Sequence, residues 1–173
     1  TTLSSCASRQ LEEVTFRRAT ISVPELMATA GKYFRKVYKG NKAHIDFKIQ
    51  PLEGRITGDW NQLRFLLENL IDEACSVTLD GAVCLSARED GEFIRFLFTD
   101  MRREKTREEL NQLFYPDLSR MTAGEKGELY GTEYLVCKQI IRDHDEFAGH
   151  RGCRINAEPG KEGGFTIYFT LPK

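Results

Sequence analysis

At 173 residues, with 40% hydrophobic and 29% charged residues, the chain has the make-up of one globular domain, with room at most for a neighbour's remnant. Its 25 Lys and Arg against 26 Asp and Glu leave a net charge of -1, which supplies no long-range field toward nucleic acid or an anionic membrane. No apolar run is long enough to cross a bilayer, and no signal peptide opens the chain, which starts abruptly as if cut from something longer.

Leu3 to Val14 spaces Leu3, Cys6 (or Ala7), Leu11 and Val14 for one helical face, as the end of a helix, and lacks a start signal. Thr15 to Ser22 alternates as a strand. Pro24 suits the first turn of a helix whose buried face carries Leu26, Ala30, Phe34 and Val37, and Gly40-Asn41 turns the chain. His44 to Gln50 is a strand with Ile45, Phe47 and Ile49 on one side. After a loop at Pro51 to Gly54 and a short strand, Asp59 caps a central helix, with Gln62 three residues on. Its stripe is Leu63, Leu66, Leu67, Leu70, Ile71, Ala74 and Val77. Asn69, Glu73 and Ser76 recur about one turn apart and line a single polar edge beside it.

Ala82 to Arg88 and Phe93 to Thr99 are strands joined by an Asp-Gly hairpin signal at Glu89-Asp90-Gly91. Thr106 and Glu109 form a capping box for a short helix ending near Phe114. Residues 115 to 130 have no apolar period, which predicts a mobile, lid-like segment. Thr132 to about His144 is a buried helix. Arg154 to Ala157 and Phe165 to Leu171 are closing strands, the last with Phe165, Ile167, Phe169 and Leu171 inward and Thr166, Tyr168 and Thr170 outward. Helices against one face of a mostly antiparallel, mixed sheet make an α+β fold, a two-layer α/β sandwich. Phe47, Leu67, Leu70, Phe96, Ile140 and Phe169 are expected in one core.

The five cysteines are odd in number and none lies in a CxxC pair. Cys75, Cys84 and Cys137 sit in apolar segments and read as buried, reduced thiols of a cytoplasmic protein. His44, His144 and His150 have no metal-ligand spacing to them and read as structural or solvated.

The segment GDWNQLRFLLENLIDEA, the later LVCKQII and the ending INAEPGKEGGFTIYFTLPK together resemble the catalytic, ATP-binding domain of sensor histidine kinases, in the gyrase/Hsp90/histidine-kinase/MutL superfamily. The likeness runs from about Leu11 to Lys173. It implies that residues 15–173 form the ATPase-like domain and residues 1–14 the tail of a dimerisation helix. The implied cofactors are ATP and Mg²⁺. The implied partners are the dimerisation and phosphoacceptor helices of the same parent protein and a response regulator, with no nucleic acid and no membrane contact by this domain. The implied location is the cytoplasm, as part of a larger protein with or without a membrane anchor.

By the same resemblance, Asn69 stands at the first asparagine of the family's helix motif, and Asp100 at the aspartate that bonds the adenine amino group. Leu113-Phe114-Tyr115-Pro116 resembles the aromatic segment that leads into the lid. Gly131 and Thr132 belong to the second glycine box, Lys138 to a common lysine after it, and Gly164 and Thr166 to the last hairpin. If the domain is active, Asn69 is its catalytic residue and Asn69 with Glu73 holds Mg²⁺.

The departures concern the nucleotide. The motif's second asparagine is Glu73, and the first glycine box reads Asp100-Met101-Arg102-Arg103-Glu104 with no glycine. Arg102 is close enough in sequence to pair with Asp100. The resulting reading is a degenerate domain, weak or inactive in ATP binding, kept as a signalling or interaction module. The alternatives are an active ATP-dependent protein-histidine kinase domain and a serine-kinase relative of the anti-sigma-factor type.

Overall fold

The structure, a computed structural model, describes residues 15–115 and 132–173. Two small strands, β1 (Ala19–Ser22) and β3 (Arg55–Gly58), pair antiparallel beside the main sheet. The main sheet has the order β2-β4-β5-β7-β6. Its strands are β2 (Ile45–Gln50), β4 (Gly81–Asp90), β5 (Phe93–Asp100), β6 (Ile155–Pro159) and β7 (Phe165–Pro172). Only β2 and β4 run parallel; the other neighbours are antiparallel. The helices are α1 (Val23–Val37), α2 (Trp60–Cys75), α3 (Arg107–Leu113) and α4 (Thr132–Phe147).

Each helix whose start is described begins on the chemistry expected of it. The Ser22 hydroxyl accepts from Glu25 N ahead of α1, Asp59 accepts from Gln62 N ahead of α2, and Thr106 with Glu109 closes a full capping box on α3. Inward residues of β4, β5, β6 and β7 share one core with those of α1, α2 and α4, as alternation along strands and helical spacing require. Leu67, Leu70, Phe96, Ile140 and Phe169 are buried in it and Phe47 packs against it, so the expected single core is present. Phe96 and Phe169 stack across β5 and β7 with centroids 5.0 Å apart.

Several local expectations shift. Val37, expected on the buried face, is 48% exposed because α1 ends there. The first strand begins at Ala19 rather than Thr15, and α4 runs on to Phe147. The hairpin turn is Gly91-Glu92, one residue later than expected, and Gly91 has φ 60°, which both primed turns demand at that position. Thr166 and Thr170 alternate away from Ile167 and Phe169 as expected, yet both are buried. Thr166 shares a 2.8 Å hydroxyl contact with Thr99, and Thr170 bonds Arg154 N and Gly152 O. Cys75 and Cys84 are only half-buried, while Cys137 is buried. Residues 1–14 (with Cys6), the lid 116–130 and Gly131 lie outside the described residues.

His144 is the structural histidine among the three. It is fully buried, His44 and His150 are exposed, and its Nε2 accepts from Asp59 N at 3.0 Å while Nδ1 lies 2.8 Å from Ile140 O. Because a backbone N–H can only donate, the ring is the neutral tautomer with its proton on Nδ1, donating to Ile140 O. Gly58 makes room for it, since a Cβ there would come within 2.9 Å of the imidazole. Residues 15–18 dock on the same spot: Arg17 N donates to Asp59 Oδ2, and Phe16 meets His144 edge-on with centroids 4.8 Å apart.

Candidate functional site

The site lies where the C-terminus of α2 meets the end of β5. Asp100 is the last residue of β5 and Arg102 follows in the turn; their side chains are each 1% exposed. Arg102 closes back on Asp100: its backbone N and Nε donate to Oδ1 at 3.0 and 2.9 Å, and one terminal nitrogen donates to Oδ2 at 2.8 Å. Arg103 Nε adds a fourth donor to Oδ2 at 3.2 Å. Each Asp100 oxygen therefore takes two donors.

The rest of the guanidinium reaches across to the last turn of α2 and the connection after it. It donates to Ala74 O at 2.6 Å, Val77 O at 3.1 Å and Leu79 O at 2.9 Å. A guanidinium has five N–H groups, and all five are satisfied here. A cation at the carbonyl-rich end of a helix is also favoured by the helix dipole. Gly81, with φ 137°, is the floor under this side chain: a Cβ there would lie 2.7 Å from Arg102 Cγ. No sequence signal marked Gly81, because its role depends on a side chain 21 positions later.

Burial would raise the Asp100 carboxyl, but the hydrogen bonds and charge of Arg102, with Arg103 behind them, hold it below the usual carboxylate range. Burial likewise pushes the Cys75 thiol at the end of α2 up to about 11, against the pull of Arg102, and the Cys153 thiol up to about 12. Only thiolate reacts, so at pH 8 an aromatic disulfide reagent is expected to label Cys75 about two orders of magnitude, and Cys153 about three, more slowly than an unperturbed cysteine. Fast labelling of Cys75, located by peptide mapping, would mean that the site opens readily.

Not every residue expected at the site joins this cluster. Asn69 is on α2 and 8% exposed, and its side-chain nitrogen donates to Phe65 O one turn back. Glu73 lies on the same helix, half-buried. Ser76 does not continue their edge: α2 ends at Cys75, and Ser76 caps it with its hydroxyl on Glu73 O. Thr166 stands on β7 against Thr99, one position before Asp100. Gly164, with φ 70°, packs so closely on the Asp100 carbonyl that a Cβ would collide, and its N–H donates to Glu104 Oε1 at 2.9 Å.

Lys138 on α4 is engaged elsewhere. Its ammonium donates to Phe114 O at 2.9 Å and sits 3.6 Å from the Tyr115 ring centroid, so it pins the chain where the 116–130 segment leaves α3. Thr132 opens α4, and its side chain is outside the described ones. Among the described residues there is no group of three or more His, Cys, Asp or Glu placed to hold a metal ion.

This geometry can be set beside known proteins. The chain is 29% identical over 138 residues to the adaptive-response sensory kinase SasA of Thermosynechococcus vestitus, covering 78% of this chain and 34% of that protein. It thus spans about a third of that relative. Among solved structures, the nucleotide-free catalytic domain of histidine kinase ThkA superposes with a TM-score of 0.68 at 18% identity, covering 91% of this chain and 96% of that one. ThkA in complex with the response regulator TrrA gives 0.70 at 19% identity, over 99% of this chain and 47% of that one. The histidine kinase AdeS of Acinetobacter baumannii gives 0.67 at 13% identity, over 99% and 75%. The family model described as histidine kinase-, DNA gyrase B-, and HSP90-like ATPase matches residues 58–173, from the cap of α2 through Asp100 to the last strand, and the chain belongs to that family.

Proposed function

We propose that this is the catalytic-type domain of a two-component sensor histidine kinase in which ATP binding is lost or reduced to the millimolar range, retained as a signalling and interaction module. Residues 1–14 would be the end of the dimerisation helix that precedes it, and its partners the phosphoacceptor helices of the parent protein and a response regulator. The observation that carries the degenerate reading is the Arg102 guanidinium in the Asp100 carboxylate. An adenine amino group needs an acceptor oxygen of that aspartate, and both oxygens already take two donors each. The residues as arranged do not fit the base. Glu73 replaces a neutral amide with a carboxylate where a triphosphate would pass, a repulsion of about 1 kcal/mol at near-contact range in water. Each 1.4 kcal/mol is about tenfold in affinity, so bringing a micromolar site to millimolar takes about 4 kcal/mol, of which Glu73 supplies about 1 and the displacement of Arg102 from Asp100 the rest.

The competing reading is a working kinase domain in which Arg102 leaves Asp100 when ATP arrives. It draws on the ATPase family match and on the retained Asn69. Calorimetric titration of the protein with Mg-ATP separates the two. Absent or millimolar binding is expected; a micromolar, magnesium-dependent isotherm makes the kinase reading the better one. Arg102→Gly combined with Glu104→Gly and Glu73→Asn is expected to gain more affinity than any one of the three, provided the variant's circular dichroism stays native.

A further inference from the structure

The net charge of -1 conceals an uneven distribution. Between residues 32 and 48 the chain carries Lys32, Arg35, Lys36, Lys39, Lys42 and Lys48 against a single acid, Asp46, although acids outnumber cations in the chain as a whole. All six cations are exposed. Lys48 lies 3.7 Å from Asp46; the other five have no ion-pair partner among the described residues. Three stand on the second half of α1, two follow in the connection, and Lys48 is on β2.

The element beside them is an open edge. β2 is the outermost strand of the sheet and pairs only with β4, so its other side presents backbone donors and acceptors with no strand next to them among the described residues. Ile45, Phe47 and Ile49 turn toward the helix layer, and Asp46, Lys48 and Gln50 toward the opposite face. The helix that carries three of the cations packs on this strand, Phe34 of α1 meeting Phe47 with ring centroids 5.1 Å apart, and Lys48 projects from the strand's other face. Just inside lies a shallow apolar groove, too small to hold a water, lined by Phe34, Ile45, Phe47, Val83 and Phe98 among others. One lysine is the usual protection of an edge against unwanted pairing, and Lys48 supplies it. The five cations off the strand are left without that explanation.

We infer that this edge docks an extended acidic segment of a partner protein, added as a further strand beside β2. Its backbone pairs with the free side of β2, its carboxylates face the α1 cations and Lys48, and apolar side chains at alternate positions cover the groove. A lipid headgroup layer would match the charge but not the row of backbone groups, and Val37 is the only large apolar residue exposed among the cations. The inference is independent of whether the nucleotide site is open.

The test uses the whole chain and a fluorescein-labelled peptide of alternating Glu and Val, with a Lys-Val peptide and phosphatidylserine vesicles as the other arms. The Glu-Val peptide is expected to bind at low salt, to weaken as salt is added, and to slow hydrogen exchange at β2 amides. Lys36→Glu with Lys42→Glu should weaken it about tenfold, the size of two exposed charge pairs turned to repulsion, while leaving the melting temperature unchanged. Binding that survives the charge reversal, or that leaves β2 exchange untouched, overturns the proposal. So does recruitment to vesicles with the peptide ignored, or no binding of the peptide at all.

Discussion

Replacing Arg102 with alanine is expected to cost the fold about 3–5 kcal/mol at neutral pH, read from urea unfolding by the fluorescence of Trp60. The change strands a carboxylate that is 1% exposed, leaving it Arg103 and one backbone N–H, and it strips a donor from three carbonyls, Ala74 in the last turn of α2 and Val77 and Leu79 in the connection after it. Against a typical total of about 5–15 kcal/mol, that is a large share. Arg102→Met together with Asp100→Asn should cost less than the two single changes added, because most of each single penalty is the abandoned partner. The pair also gives a pH signature. Asp100 is held below its ordinary value in the fold, so its contribution is fully present above the unfolded carboxylate value of about 3.9 and is lost as pH falls through the lower folded value. The stability gap between the native chain and Asp100→Asn should therefore be flat from neutral pH to about pH 5 and close in stronger acid. A loss below about 1 kcal/mol for Arg102→Ala would mean that Arg102 leaves the site at little cost, which favours the working-kinase reading.

His144→Ala is expected to destabilise by about 2–4 kcal/mol, combining the lost side-chain volume with a buried backbone donor left unpaired, Asp59 N–H. The loss should be felt beyond the helix that carries it. Hydrogen exchange ought to quicken at the first turn of α2, whose cap is Asp59, and at residues 15–18, which dock on Asp59 and His144. An effect confined to α4 would show that Asp59 holds the linker and the start of α2 without the histidine.

Helix starts, strand alternation and the single core were legible in the residues, since these depend on neighbours a few positions apart. Asp59, Thr106, the Leu63 to Ala74 stripe and the Phe165 to Leu171 alternation all folded as their spacing requires. Where local pattern stopped deciding, the expectations drifted by a residue or a turn. Val37 kept the helical period to the last, exposed residue of α1, and Ser76 and Val77 kept it past the point where α2 ends. Thr166 and Thr170 sit on the expected face, but burial on that face comes from neighbouring strands and hydrogen bonds that no alternation records.

The sequence by itself determined the family, the two-layer fold and the pairing of Asp100 with Arg102, because motif order and a two-residue separation are both properties of the chain. Only the tertiary structure decided what that pair does. The carbonyls of Ala74, Val77 and Leu79 come to Arg102 from more than 20 positions away, over a glycine whose missing side chain leaves the space. It likewise decided that His144 serves the cap of a helix 85 positions earlier, and that the strand at the end of the cation-rich run of residues 32–48 is an open edge of the sheet. Hydrogen bonds and charge act through distance in space, and that distance is set by the packing of the two layers rather than by separation along the chain.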